Sequence, residues 1–207
     1  MGNLRLRASP SHPPIAKHAL ADLVGPDWCS LSPAIQARFA PRAARAIYFG
    51  EGVFAANWFG RLCALAGACF GRPLPLRTGH ASVDIEVAPG PGGEVWKRLY
   101  RFGPAAEVVA STKHTAGAWL EERAGPVVMR LRVFVADRML VFESVDFRFR
   151  GLGRDWPIPA LFTPGRLRVT HEDRGEDQFI FTLEARHPLF GVTLHQRCHM
   201  HVAGAAR

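Results

Sequence analysis

Between residues 79 and 202 the chain alternates apolar and polar side chains with a period of two, and short turns interrupt the runs. Side chains that switch face at every residue belong to strands with one buried side. His80–Val87 sets the pattern, with Val83, Ile85 and Val87 on one face and Ser82, Asp84 and Glu86 on the other. Glu94–Phe102 follows, with Trp96, Arg98, Tyr100 and Phe102 sharing a face. Further runs cover 106–113, 116–122, 127–136, 139–150, 167–171, 178–185 and 191–202. Turn-forming residues separate most of them: Ala88–Gly93, Asp137-Arg138, Arg174-Gly175-Glu176 and His187-Pro188. Such short connections join antiparallel neighbours, because a parallel pair needs a crossover of about a dozen residues. The longest break, Gly151–Gly165, holds Trp156-Pro157-Ile158-Pro159 and Pro164, too much proline for a central strand.

The first third reads differently. Residues 1–13 form a loose tail, and residues 14–207 a single domain. Ile15–Val24 has helical apolar spacing and stops at Gly25-Pro26. Ser32-Pro33 is an N-cap with proline at the first helical position, and the helix Ala34–Ala40 ends before Pro41. Ala46–Phe54 reads as a strand broken by Gly50 and Gly52. A third helix, Ala55–Phe70, ends in the Gly71/Pro73/Pro75 cluster. The fold class is therefore α+β: a helical N-terminal third, then a strongly curved antiparallel β-sheet or barrel of about 8–10 strands. The third helix is expected to pack on its concave face.

Composition narrows the function classes. Hydrophobic residues are 48% and charged residues 21% of the 207, a globular balance. Lys+Arg 26 against Asp+Glu 18 gives a net charge of +8. Only Lys17, Lys97 and Lys113 are lysines. The excess is concentrated in residues 1–78, where an acidic partner or an anionic lipid surface could be met. No zinc-finger spacing, aromatic-basic RNA-binding motif or helix-turn-helix accompanies it, so nucleic acid is not expected as a partner. Cys29, Cys63, Cys69 and Cys198 lack metal-type spacing and read as free, mostly buried thiols of a reducing, cytoplasmic compartment. Residues 1–14 lack an apolar core, so no secretory signal is expected, and the apolar stretch 53–70 is short for a transmembrane span.

A series of short motifs runs through the chain in order: Trp28-x-x-Leu31-Ser32-Pro33 with Arg38-Phe39, the Gly50–Gly52 segment, and Trp96-Lys97-Arg98 with Tyr100-x-Phe102. Glu122-Arg123-x-Gly125-Pro126, Pro157-Ile158-Pro159 with Leu161 and Pro164, and Pro188-Leu189-Phe190-Gly191 complete it. In these motifs the chain resembles the bacterial family catalogued as domain of unknown function 4166, over about residues 20–202. His195 departs from the tyrosine usual in that family's last strand. The resemblance implies a domain found alone or behind a saccharopine-dehydrogenase-like domain, and it implies no established reaction. No G-x-G-x-x-G follows a strand here.

Two constellations carry chemistry. Arg98 among Trp96, Tyr100 and Phe102 is an anchor for a carboxylate or phosphate, since a guanidinium stacks on rings and bonds bidentately. Glu143 shares a strand face with Val141, Val145, Phe147 and Phe149, and a two-residue turn at Asp137-Arg138 puts Arg132 opposite it. Glu121-Glu122-Arg123 reads as strand-end charge beside a turn. His195, His199 and His201 alternate on an outward face with Arg197 between them, which argues against a metal site. No serine or cysteine has a nucleophile's surroundings. The reading is a module that binds a hydrophobic small molecule with an anionic head inside the curved sheet. Its ligand-binding residues are Trp96, Arg98, Tyr100, Arg132, Glu143 and Phe147, with no catalytic residue, metal or cofactor assigned. The alternatives are an enzyme with Glu143 as acid/base, and an accessory domain that docks on a reductase-type partner through Arg38, Arg42 and Arg45.

Overall fold

The computed structural model describes residues 20–41 and 44–203. The 1–13 tail, the first residues of the expected Ile15–Val24 helix, and Arg42 lie outside them. The described residues hold three short helices: α1 (Leu20–Val24), α2 (Pro33–Phe39) and α3 (Trp58–Ala68). A 3-10 turn, Gly25–Ser30, joins the first two. Ser32 caps α2 by accepting from the Ile35 N–H, and Asn57 caps α3 by accepting from Gly60.

The strands are β1 (Ala46–Ala56), β2 (Gly79–Gly90), β3 (Gly93–Phe102), β4 (Ala105–Ala116), β5 (Trp119–Ala124) and β6 (Val127–Ala136). Then come β7 (Met139–Gly151), β8 (Arg154–Pro157), β9 (Arg166–Gly175), β10 (Gln178–His187) and β11 (Gly191–Val202). All pairings are antiparallel. Their order is β6-β5-β4-β3-β2-β1-β11-β10-β9-β7, and β6 pairs with β7, so ten strands close into a barrel. Closure removes free sheet edges. β8 pairs only with the end of β7, as a flap outside the ring.

Several sequence expectations are refined. β1 is continuous through Gly50 and Gly52. A Cβ on either would strike the backbone of β11, so the glycines permit close approach rather than break the strand. β2 and β3 extend into the expected 88–93 loop. The Asp137-Arg138 turn has both residues at positive φ, 51° and 59°, and pairs Ala136 with Met139 as the spacing requires. The long break contains β8 and the 3-10 turn Ala160–Phe162. Two of the four cysteines, Cys29 and Cys69, are exposed, Cys63 is intermediate and only Cys198 is buried.

The two barrel ends differ. At one end β1 stops and β2 begins, and α3 with residues 69–78 makes the connection. The 152–165 excursion lies at the same end. α3 thus lies across an open end instead of along the concave wall. Hairpin turns make the other end, and the N-terminal helices close it. Leu31, Ile35 and Phe39, spaced by one helical turn each, are 3%, 0% and 6% exposed. Phe39 reaches the interior, with its ring 5.5 Å from Phe142, 6.2 Å from Trp96 and 4.8 Å from His171. Arg38 follows it in, its guanidinium 3.6 Å above the Phe179 ring.

Candidate functional site

Inside the barrel, between Phe39 of α2, which plugs the closed end, and α3, lies a cavity of about 300 Å³. Its walls are apolar, with Phe54, Val109, Met129, Phe147, Val169 and Phe181 among them. α3 contributes Cys63, Ala66 and Gly67 at its mouth, joined by Phe70 and Phe162. The polar lining is confined to Arg98, Ser111, Lys113, Glu122, Gln196 and the phenol of Tyr100, with Thr163 near the mouth.

Alternation brings these polar groups together. In register, Trp96 faces Ser111, Arg98 faces Val109 and Tyr100 faces Glu107, while Lys113 faces Glu122 on β5. Glu122 is the hub. One carboxylate oxygen accepts from Ser111 at 2.6 Å and from Arg98 Nη2 at 3.2 Å, and the other lies 3.5 Å from Lys113 Nζ. Arg98 Nη1 donates to Ser111 at 3.1 Å. The side chains of Arg98 and Lys113 are 11% exposed and that of Glu122 is 15%. Lys113 also lies 4.3 Å from the centre of the Trp96 ring, and Arg98 5.7 Å.

Burial alone would raise the Glu122 carboxyl. Lys113 and Arg98, with hydrogen bonds from Ser111 and Arg98, overcome that and hold it at about 2. Burial lowers the Lys113 ammonium, and its attraction to Glu122 and Glu94 does not fully restore it. Burial pushes the Tyr100 phenol up to about 12, so it stays protonated. His171, beside the plug, is held well below its usual range by burial and by Arg38, Lys113 and Arg98, so it is neutral. Of the ionised groups lining the cavity, two are cations and one is an anion. Gln196, 1% exposed, donates to Cys198 Sγ, while its amide oxygen finds no partner among the described residues. The indole nitrogen of Trp96 finds none either.

The residues expected from sequence divide in two. Trp96, Arg98, Tyr100 and Phe147 all point into the barrel, and the last three line the cavity. Arg132 and Glu143 do not. Their cross-strand pairing is as expected, and they form an ion pair of 3.0 Å, but on the outer wall. The cause is a bulge. The register steps from Arg130↔Asp146 to Leu131↔Ser144, leaving Val145 unopposed. Phe147 and Phe149 therefore face inward while Glu143 faces out, and an acid/base role for Glu143 at the cavity is ruled out. The expected basic docking face is also broken up, since Arg38 is buried and Arg45 pairs with Glu86. His195, His199 and His201 lie on the outer face of β11, opposite buried Gln196, Cys198 and Met200, and no metal-binding cluster occurs among the described residues.

Glu122, Lys113, Ser111 and Gln196 were not expected at the site. Their signal was present: Leu120, Glu122 and Ala124 share the face of a short strand, and only the neighbouring register reveals that this face is interior. No helix among the described residues is long and apolar enough to cross a membrane. No curated protein and no solved structure matches the chain. The model of the family described as a domain of unknown function, DUF4166, matches residues 31–200. Its span covers the plug helix, all but the last two residues of the barrel and the whole polar cluster. The chain belongs to the DUF4166 family.

Proposed function

We propose that this domain binds an apolar small molecule bearing a carboxylate or phosphate, with its tail in the barrel cavity and its head at Arg98 and Lys113. The observation that carries this reading is the buried Arg98–Ser111–Glu122–Lys113 cluster at the inner end of an apolar-walled cavity. Small-molecule sites combine apolar walls with a few convergent polar groups, and their volumes start at about 300 Å³. Arg98 and Lys113 converge in a poorly solvated space where Glu122 is the one carboxylate in the cavity lining, so an anionic head would meet two cations there. Gln196 adds an amide to the same wall. Each methylene moved from water into the cavity contributes about 0.8 kcal/mol.

The test is a thermal-shift series with saturated carboxylates and the alcohols of matching chain length. The expected result is a melting temperature that rises with chain length and rises more for each acid than for its alcohol. Arg98→Gln removes the difference between acid and alcohol and keeps the chain-length trend. Equal shifts for acid and alcohol in the unmodified chain would refute the anionic head. No shift with any member would refute the binding module.

A further inference from the structure

We infer that the α3 end of the barrel is a docking surface for a membrane bearing anionic headgroups. This goes beyond the ligand reading and stands on the outer surface. α3 is apolar on both sides. Phe59, Gly60 and Ala64 are buried, yet Trp58, Leu62 and Leu65, one turn apart on the opposite side, are 65%, 53% and 59% exposed. Apart from exposed Arg61 the helix is apolar all round, and such a helix normally has both faces covered. The 11 residues of α3 are too few to span a bilayer, so a membrane would meet its outer face lying in the interface.

The neighbouring loops continue the apolar surface. Leu152 and Leu189 occupy loop tips and are 97% and 71% exposed, and Phe162 is 70% exposed. Trp58 packs on Phe190, and Phe70 packs on Phe149, which meets Trp156. Nine of the fifteen large hydrophobic side chains exposed among the described residues belong to this end. Exposed tryptophans among leucine and phenylalanine are the pattern of a membrane interface. Scattered surface hydrophobics are ordinary, but a group gathered at one end of a barrel is not.

Charge selects the occupant. Arg61, Arg72 and Arg154 are exposed at this end, and no carboxylate pairs with them among the described residues. The carboxylates nearby are engaged: Glu107 by Arg77, Asp155 by Arg150 and Glu184 by Arg186. Apolar tips ringed by unpaired arginines match an anionic bilayer, whose headgroups meet the cations as the tips enter the acyl boundary. The cavity opens within this ring, since Phe70 and Phe162 are both exposed and part of its lining.

The experiment is flotation of the full chain with vesicles of phosphatidylcholine alone or mixed with phosphatidylglycerol. The expected result is binding to the mixed vesicles that weakens with salt and falls about tenfold or more in Leu62→Glu/Leu189→Glu. Val108→Glu, at an exposed site on the outer wall of β4, retains binding. Neither Leu62 nor Leu189 lines the cavity, so the double variant keeps any ligand-induced thermal shift, which separates failure here from failure of the ligand reading. Absence of binding to the mixed vesicles would overturn the inference, as would equal loss in Val108→Glu. A dimer seen by size exclusion, broken by Leu62→Glu and without vesicle binding, would assign the surface to a second copy instead.

Discussion

Replacing Glu122 with glutamine keeps the shape of the buried cluster and removes the carboxylate at its hub. Arg98 then loses the carboxylate it hydrogen-bonds, in a space where its side chain and that of Lys113 are 11% exposed, while Lys113 keeps the attraction of Glu94 opposite it on β3. Stranding a buried charge in this way costs about 3–5 kcal/mol. The pH behaviour of the native cluster gives a second estimate. A carboxyl held at about 2, against an ordinary 4.5, contributes about 3 kcal/mol of stability at neutral pH. Because the folded value is depressed, that contribution is complete above about 4.5 and lost as pH falls through about 2. Lys113 limits the cost in the variant, since burial already lowers its ammonium and loss of Glu122 lowers it further. Urea titration at pH 7 should therefore find Glu122→Gln less stable by about 3 kcal/mol, a melting temperature about 6–12 °C lower. The loss should deepen from pH 7 down to about 4.5, as Lys113 takes up its proton, and shrink below that as Glu122 of the native chain is protonated. An unchanged urea midpoint at pH 7 would refute the reasoning, because it would mean that the cluster is solvated.

Three further variants probe other parts of the account. Phe39→Ala removes the ring that plugs the barrel end against Trp96, Phe142 and His171, and should cost about 3–5 kcal/mol in chemical denaturation. Arg132→Ala should change stability by less than about 1 kcal/mol and leave ligand-induced thermal shifts intact, since its side chain is 60% exposed on the outer wall. His171 is held well below 6.5 in the folded barrel, so the unfolded chain binds the extra proton and stability falls as pH drops below about 6.5. Stability measured against pH should be flatter below that point in His171→Leu than in the native chain.

Much of the barrel was legible in the sequence because a period of two and a short turn are both local. The Asp137-Arg138 turn alone fixes Arg132 opposite Glu143, and the structure has that pair. What local pattern does not carry is which face turns inward after a bulge. Val145 is one unopposed residue, yet it separates Glu143 from Phe147. The converse error concerns Glu122. A carboxylate between Glu121 and Arg123 reads as strand-end charge until β4 brings Lys113 beside it. Trp96, Arg98 and Tyr100 were readable because aromatic residues flank the arginine on one face of a single strand. A curved sheet and a closed barrel stayed open as alternatives, because closure depends on β1 meeting β11 and β6 meeting β7, which are properties of the whole ring.

The helices illustrate the same division. The Ser32-Pro33 signal marks the start of α2, and the cap hydrogen bond is formed. That this seven-residue helix seals one barrel end through Phe39 depends on Trp96, Phe142 and His171, which lie on three strands far along the chain. α3 was legible as an apolar helix, but its pattern did not distinguish a buried helix from one lying across a barrel mouth with its outer side in solvent.

Native mass spectrometry of the purified chain, incubated with a long-chain carboxylate, tests the central claim most directly. It should be run beside Val109→Trp, which places an indole in the cavity wall. The account predicts one carboxylate bound per native chain and none in the variant, whose own melting transition remains cooperative. Equal occupancy in both proteins would place the molecule outside the barrel and contradict the account.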